Sequence, residues 1–373
     1  MASNINGING DPTALLIDRA VGELRRGRAI ALELGDEQLI FAAAENLRTS
    51  LFERMNKAQR APLLLVVTAQ RAAALGLAPS ADRPVALAVD ASWTADDLRA
   101  LAGVADAGKV KDVSGVDNAL DPRHEAAVQA ALVLAKAGRL VPALVFTPLD
   151  AVDDLSLIRV PVSQVLPYTT FFKHRLRRTS QARVPLAEAV ESEITLFRDE
   201  HTLGEHIAVV VGSPDTSGVV PVRLHSACLT GDLLGSLRCD CGEQLRTAVA
   251  RIAELGGGVL LYLDQEGRGI GLANKLRAYA LQDSGLDTLD ADQHLGFLAD
   301  ERNYDVAAVL LQELGISRIQ LLTNNPQKIE ALKEHGIDVV GRLPLVASTN
   351  AHNERYIRAK RERAGHLAEE SNG

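Results

Sequence analysis

Residues 225–244, HSACLTGDLLGSLRCDCGEQ, hold all three cysteines of the chain: Cys228, Cys239 and Cys241. Three thiolates within fourteen residues can converge on one ion, and zinc accepts cysteine sulfur at tetrahedral geometry. Structural zinc sites fill four positions with protein ligands, and without a fourth cysteine a closed four-thiolate site is excluded. Three ligands and an open position form instead the pattern of a catalytic zinc that binds and acidifies a water. The plainer reading, three reduced cysteines buried in a cytosolic protein, is weakened by their clustering.

Two further stretches have residues suited to chemistry. QEGRGIG, 265–271, is a glycine-rich loop that opens a helix containing Asn274, Lys275, Arg277 and Tyr279. Alone it is a weak signal, because glycine loops before helices are frequent. A strand expected at 319–323 runs into TNNPQK, where Asn325 is a good N-cap and Pro326 suits the first helical position. With Lys328 nearby, that helix start offers N–H groups and positive charge to a phosphate, although a plain capped helix reads the same way. Lys173, Arg175, Arg177, Arg178 and Arg183 form a basic run, read as a solvated linker face in preference to a phosphate contact.

The elements that must position these residues suggest two domains. A chain of 373 residues is long enough for two cores, and with aromatics at 3% they must be built from Ala, Leu, Val and Ile. The net charge of −8 argues against a nucleic-acid binder. The polar opening MASNINGINGDP has no apolar signal segment, and no apolar run is long enough for a membrane span. A cytoplasmic setting is expected. Helical spacing marks 13–26, with Leu15, Ile17, Ala20, Val21 and Leu24 on one face. Apolar runs at 30–34, 63–67 and 85–89 read as strands, and Thr94 caps a helix that ends at Gly103. An alanine-rich helix at 124–138 precedes a strand at 141–146. Further strands are expected at 193–198, 207–211, 219–225 and 259–263, with a helix at 242–255. The alternation predicts an α/β (α+β) fold.

On ELRRGRAIALE, on the region of Leu75, Gly76 and Leu77, and on RHEAAVQAALVLAKAG, residues 13–185 resemble 3,4-dihydroxy-2-butanone 4-phosphate synthase. The resemblance implies an α/β sandwich, and it departs from the family at the active site. Arg123 stands where the family has its metal-binding histidine, with His124 in the following threonine's place. Asp36, Glu37 and Gln38 stand in place of the acidic magnesium-binding run, and Gln59, Arg60 and Ala61 replace an Arg-His-Gly element. Hard cations need several oxygen ligands, so this domain is read as degenerate and inactive, with His124 a surface or helix-start histidine.

HSACLTGD, SLRCDCG, DQEGRGIGL, NKLRAYALQD, GFLADERNYD and LLTNNPQK, in that order, identify residues 190–366 as resembling GTP cyclohydrolase II. This leaves 1–12 and 367–373 as polar tails. The resemblance implies opening of the guanine imidazole ring, with loss of formate and pyrophosphate, to give the diaminopyrimidine that starts riboflavin synthesis. It implies zinc on Cys228, Cys239 and Cys241 and magnesium with the triphosphate. GTP contacts fall on Arg223, Leu224, His225, Ser226, Ala227, Gln244, Glu266, Gly267, Arg268, Thr288, Thr323 and Lys328. Asp300 matches the proton acceptor, Arg302 the nucleophile toward the α-phosphorus or else a stabiliser of charge, and Tyr279 a tyrosine near the reacting base. A homodimer is implied, with no nucleic-acid or membrane partner. Two positions depart from the pattern: Ala227 stands where the family carries Glu, and Asp264 where a basic residue often precedes Gln-Glu-Gly-Arg. Three other readings stay open: a relative that stops at a formamide or serves another pathway, a live bifunctional enzyme, and a non-enzymatic nucleotide sensor with structural zinc.

Overall fold

The structure, a computed structural model, describes residues 11–58, 62–77, 83–104, 110–113, 116, 118–149, 157–171, 176–199, 204–345, 348–354 and 358. Gln59, Arg60, Ala61, Lys173, Arg175 and both polar ends, 1–10 and 367–373, lie outside the described residues. The chain divides into two compact units. Among the described residues no helix is long and apolar enough to cross a membrane.

Unit 1 is built on a six-stranded mixed sheet flanked on both faces by helices. Its elements are α1 (Pro12–Arg25), β1 (Ile30–Leu34), β2 (Glu37–Ala43), α2 (Thr49–Ala58), β3 (Leu64–Val67), α3 (Ala69–Ala74), β4 (Val85–Ala88), α4 (Ala95–Leu101), α5 (Glu125–Ala137), β5 (Ala143–Leu149), β6 (Arg159–Pro161) and α6 (Val162–Phe171). Strand order is β4-β3-β5-β2-β1-β6. Successive strand residues point to opposite faces, and here both faces are apolar. Ile30 and Leu32, Leu39 and Phe41, and Leu64 and Val66 pack with α1, α5 and α6. Ala31, Ile40 and Ala42, and Leu65 and Val67 pack on the other side with Phe52 and Met55 of α2, Ala72 of α3 and Leu98 of α4. Thr94 caps α4 as expected, and Asp97 completes a reciprocal capping box with it.

The missing acidic run is as expected, whereas the surface placement expected of His124 fails, although His124 does stand at a helix start. Residues 34–39 form no acidic ligand loop: Gly35 and Asp36 turn the chain and Glu37 begins β2, paired antiparallel with β1. His124 is not on the surface. It is 6% exposed, its Nε2 lies 3.1 Å from both Glu37 oxygens, and its ring meets Phe146 edge-on. The helical turn at Pro122–His124, capped by Asp121, swings the imidazole inward and leaves Arg123 outside on the Asp121 carboxylate.

Unit 2 carries β7 (Leu176–Arg183), β8 (Ser192–Asp199), β9 (Glu205–Gly212), β10 (Val220–Ser226), α7 (Cys241–Glu254) and β11 (Gly257–Leu263). After α8 (Leu272–Asp283) and α9 (Thr288–His294) come α10 (Asp305–Glu313), β12 (Arg318–Leu322), α11 (Pro326–Glu334) and β13 (Asp338–Leu343). The sheet order is β13-β12-β10-β11-β9-β8-β7, parallel from β13 to β11 and antiparallel beyond. Val222 and Leu224 of β10 face the core with α10 and α11, while α7 covers the other face through Ala248, Val249 and Ile252.

The units differ from the boundaries read in the sequence at two places. Of the basic run, Arg177, Arg178 and Arg183 lie solvated, as expected, but on an exposed edge strand, β7 paired along β8, and not in a linker. The first unit ends at residue 172, ahead of the boundary read at 185. Ala273–Glu301 groups with unit 1, although it lies amid the sequence of unit 2. Asn274 donates to the Arg139 carbonyl at 2.9 Å, Arg277 to Glu45 at 2.8 Å, and Thr68 to the Gly296 carbonyl at 2.8 Å. These buried polar contacts tie α8 and α9 to the first sheet's helices and loops.

Candidate active site

In an open parallel sheet, ligands bind beyond the carboxyl ends of strands, where successive connections run in opposite directions. Strand β10 is such a place: β11 lies on one side and β12 on the other, all three parallel. Their carboxyl ends therefore deliver RLHSAC, DQEGRG and TNNPQK to one edge of the sheet.

The cysteines meet there. Cys228 follows β10 and opens the single helical turn Leu229–Leu233, while Cys239 and Cys241 flank Asp240 at the start of α7. The three sulfurs lie within 4.8 Å of one another, and Cys228 Sγ is 3.7 Å from Cys239 Sγ. Gly231 makes this crowding feasible: a Cβ there would stand 2.7 Å from Cys239 Sγ and 3.1 Å from Cys228 Sγ. Hydrogen bonding to the Cys228 sulfur, ahead of burial, pushes the Cys239 thiol above its ordinary value, the direction a cation among the sulfurs reverses. A soft trio of this spacing fits zinc.

Alternation along β10 turns Arg223 and His225 away from the Val222 and Leu224 face. Arg223 donates to the Leu322 carbonyl at 2.9 Å and to Gln244 Oε1 at 2.7 Å, while Gln244 donates to Asp240 Oδ2 at 2.6 Å. Burial pushes the Arg223 guanidinium down to about 10 against the opposing pull of Asp240. His225 Nε2 lies 3.0 Å and 3.1 Å from the two oxygens of Asp232 and its ring stacks on Tyr262 at 5.5 Å. Burial, ahead of the opposing Asp232, lowers the His225 imidazole and favours its neutral form. Burial first, then Asp232, pushes the Tyr262 phenol up.

The loop after β11 is strained. Gly267 and Arg268 both sit in the left-handed region, at φ 63° and 60°. For Arg268 that conformation costs on the order of 1–2 kcal/mol, a price associated with functional loops. Glu266, buried, accepts from the Leu229 N–H at 2.6 Å and the Gly267 N–H at 2.9 Å, so its carboxylate braces the cysteine turn. On the third element, Thr323 Oγ1 accepts from the Asn325 N–H at 3.0 Å and Asn325 caps α11 as its sequence indicates. Buried Lys328 donates to the Leu224 carbonyl at 2.9 Å. Its ammonium lies 5.6 Å over the Tyr304 ring, which Arg302 approaches at 5.5 Å.

Unit 2 thus gathers Arg223, Leu224, His225, Ser226, Ala227, the three cysteines, Gln244, Glu266, Gly267, Arg268, Arg302, Thr323 and Lys328. Tyr279, Thr288 and Asp300 belong to unit 1: Tyr279 lies on α8 with Lys275 5.7 Å over its ring, Thr288 begins α9, and Asp300 follows α9. Buried polar atoms of unit 2 that lack a hydrogen-bond partner among the described residues include Arg223 Nε, His225 Nδ1, Ser226 Oγ and Gln265 Oε1. Buried polar atoms are normally satisfied, so this concentration at one strand end marks a place for a polar ligand. Gln265, Gly231, Asp232 and Tyr262 were not singled out in the sequence. Asp232 lies inside HSACLTGD, but its partner Tyr262 is set only by the register of β10 against β11, which pairs His225 with Tyr262.

A family model for GTP cyclohydrolase II matches residues 177–344. The chain is 44% identical over 365 residues to GTP cyclohydrolase-2 of Azospirillum brasilense, which covers 94% of this chain and 93% of that protein. It is 38% identical over 366 residues to GTP cyclohydrolase-2 of Xylella fastidiosa strain Temecula1, covering 96% and 88%. The shorter GTP cyclohydrolase-2 of Shewanella amazonensis matches at 56% over 176 residues, 47% of this chain and 85% of that protein. Among solved structures, a two-domain 3,4-dihydroxy-2-butanone 4-phosphate synthase from A. baumannii overlaps at TM-score 0.30 and 18% identity, over 89% of this chain and 99% of that one.

Proposed function

This chain belongs to the GTP cyclohydrolase II family, and from that premise we propose that it opens the imidazole ring of GTP with zinc, releasing formate and pyrophosphate. The remaining diaminopyrimidine enters riboflavin biosynthesis. The observation that carries the proposal is the convergence of the Cys228, Cys239 and Cys241 sulfurs within 4.8 Å, at a strand end rich in unsatisfied buried polar atoms. When bound there, zinc supplies the Lewis acidity that makes water nucleophilic near neutral pH.

The chain's own residues divide the remaining work. Arg223, Leu224, His225, Ser226, Ala227, Gln244, Glu266, Gly267 and Thr288 contact the nucleoside side of GTP. Arg268, Thr323 and Lys328 face the triphosphate, which enters with magnesium, and cations there offset charge that grows on the phosphate oxygens. Asp300 accepts the proton of the attacking water. Arg302 acts at the α-phosphorus, as a nucleophile or by holding developing charge. Tyr279 stands by the base. One water adds at C8 and the first C–N bond breaks to leave a formamide; a second water then cleaves the remaining C–N bond, and the carbon leaves as formate. The active form is a cytoplasmic homodimer.

The test is incubation of the full-length protein with GTP and magnesium, with products identified by mass spectrometry and Cys239→Ser as control. Formate, pyrophosphate and the diaminopyrimidine, all lost in the control, are expected. An intact ring, or a formamide that accumulates, refutes the complete reaction.

Residues 13–185 are proposed to carry no synthase activity. Glu37 is engaged by His124, and Arg123 by Asp121, which leaves neither acid free to gather a hard cation. Butanone phosphate formed from ribulose 5-phosphate by the full chain would overturn this.

A further inference from the structure

Asp232 is the meeting point of three donors. Its Oδ2 accepts from the Cys228 backbone N–H at 3.0 Å and from the Tyr262 phenol at 3.0 Å, and both its oxygens face His225 Nε2. The side chains of Asp232 and His225 are 7% and 3% exposed, so water does not compete for this network. A carboxylate only accepts hydrogen bonds, and the His225 nitrogen facing it must therefore carry the hydrogen. In the neutral ring that leaves Nδ1 as a lone pair, and Nδ1 is one of the buried atoms without a protein partner. An acceptor left unsatisfied in the interior is unfavourable, and a ligand donor relieves it on binding. Tyr262, stacked on the ring and tied to the same carboxylate, opposes a ring flip that would replace Nε2 by a carbon at the carboxylate.

We propose that Asp232 is a positioning residue for the reaction: it locks His225 in the Nε2–H tautomer, so that Nδ1 accepts an N–H or O–H of the bound nucleotide. Through the Cys228 N–H the same carboxylate fixes the first cysteine, which couples the metal-binding turn to nucleotide recognition. The inference rests on the GTP reading for the identity of the nucleotide, while the tautomer claim stands on the geometry alone.

Asp232→Asn separates the two. The amide keeps the volume and an acceptor for Cys228, and it turns an N–H2 toward Nε2, which forces the hydrogen onto Nδ1. In the ¹⁵N-histidine-labelled holoenzyme, with the His225 signals assigned through His225→Gln, the wild type is expected to show a bare Nδ1 and a protonated Nε2. GTP added without magnesium is expected to shift the Nδ1 resonance. In Asp232→Asn the two nitrogens exchange roles, zinc stays bound, and kcat/KM for GTP falls about 10- to 100-fold. Tyr262→Phe, which leaves the carboxylate in place, is expected to retain the wild-type tautomer and lose less. A protonated Nδ1 in the wild type overturns the proposal whether or not any variant folds. So does an Asp232→Asn enzyme with undiminished kcat/KM. A wild type that shows the expected tautomer and the GTP-induced shift but does not open GTP sinks the functional reading while leaving the positioning of His225 intact.

Discussion

Arg71 lies 2% exposed on α3 and donates through Nη1 to the His294 carbonyl at the end of α9, at 2.7 Å. The same guanidinium donates through Nε to the Leu101 carbonyl at 2.8 Å and through Nη2 to the Ala100 carbonyl at 3.2 Å. Burial pushes its pKa down to about 10. Three carbonyls from two helix ends thus depend on one planar side chain. Arg71→Ala leaves them unsatisfied and is expected to destabilise the protein by about 3 kcal/mol or more. Arg71→Lys recovers only part, because a point ammonium cannot span the three acceptors. Hydrogen exchange should quicken first over residues 288–296. Uniform protection there in Arg71→Ala would refute the anchoring role.

Gly231 is the tightest position of the cysteine turn, and a methyl group there would press on two of the three sulfurs. Gly231→Ala is expected to lower bound zinc, measured by elemental analysis, well below that of the wild type, and to remove GTP turnover with it. Far-ultraviolet circular dichroism should stay near wild type, since only the turn is disturbed. Full zinc occupancy in this variant would show that the sulfurs need not crowd as described.

Burial, and secondarily the charge of Arg71, lowers the His294 imidazole below its ordinary value of 6.5. The unfolded chain therefore binds a proton that the folded chain resists, and stability is lost as pH falls below about 6.5. His294→Gln removes that term. The melting temperature of the variant, relative to wild type, should rise as pH is lowered from 7.5 to 5. Parallel melting curves across that interval would exclude His294 as a contributor.

What the sequence disclosed and what it withheld divide by distance along the chain. The cysteine trio, the Thr94 cap and the Asn325 cap are local, none reaching beyond fourteen residues, and the structure forms all three. The burial of His124 depends on Glu37, 87 positions away, so nothing near the histidine announced it. Likewise α8 and α9 look continuous with their neighbours in sequence. Their assignment to unit 1 depends on Arg277 reaching Glu45 across 232 positions and Asn274 reaching Arg139 across 135. Strand β7 escaped notice for a different reason. As an edge strand with seven consecutive exposed residues after Leu176, it lacks the alternation that betrays a half-buried strand.

Lys328 and Asn325 share one helix start and allow binding to be separated from folding. The Lys328 ammonium bonds to the Leu224 carbonyl and lies over Tyr304, within the group of cations assigned to the triphosphate. Lys328→Met keeps the buried aliphatic stem and removes the charge. Loss of one charged hydrogen bond to phosphate, about 1.5–3 kcal/mol, should raise KM for GTP about 10- to 100-fold. Its effect on stability should be near 1 kcal/mol, the loss of one bond to a carbonyl. Asn325→Ala removes the cap on the Gln327 N–H and should lower stability by about 1 kcal/mol while moving KM much less. Steady-state kinetics and chemical denaturation on both variants test the pair together. If Lys328→Met leaves KM unchanged, the ammonium serves only to hold the end of β10 to α11, and the triphosphate must lie elsewhere.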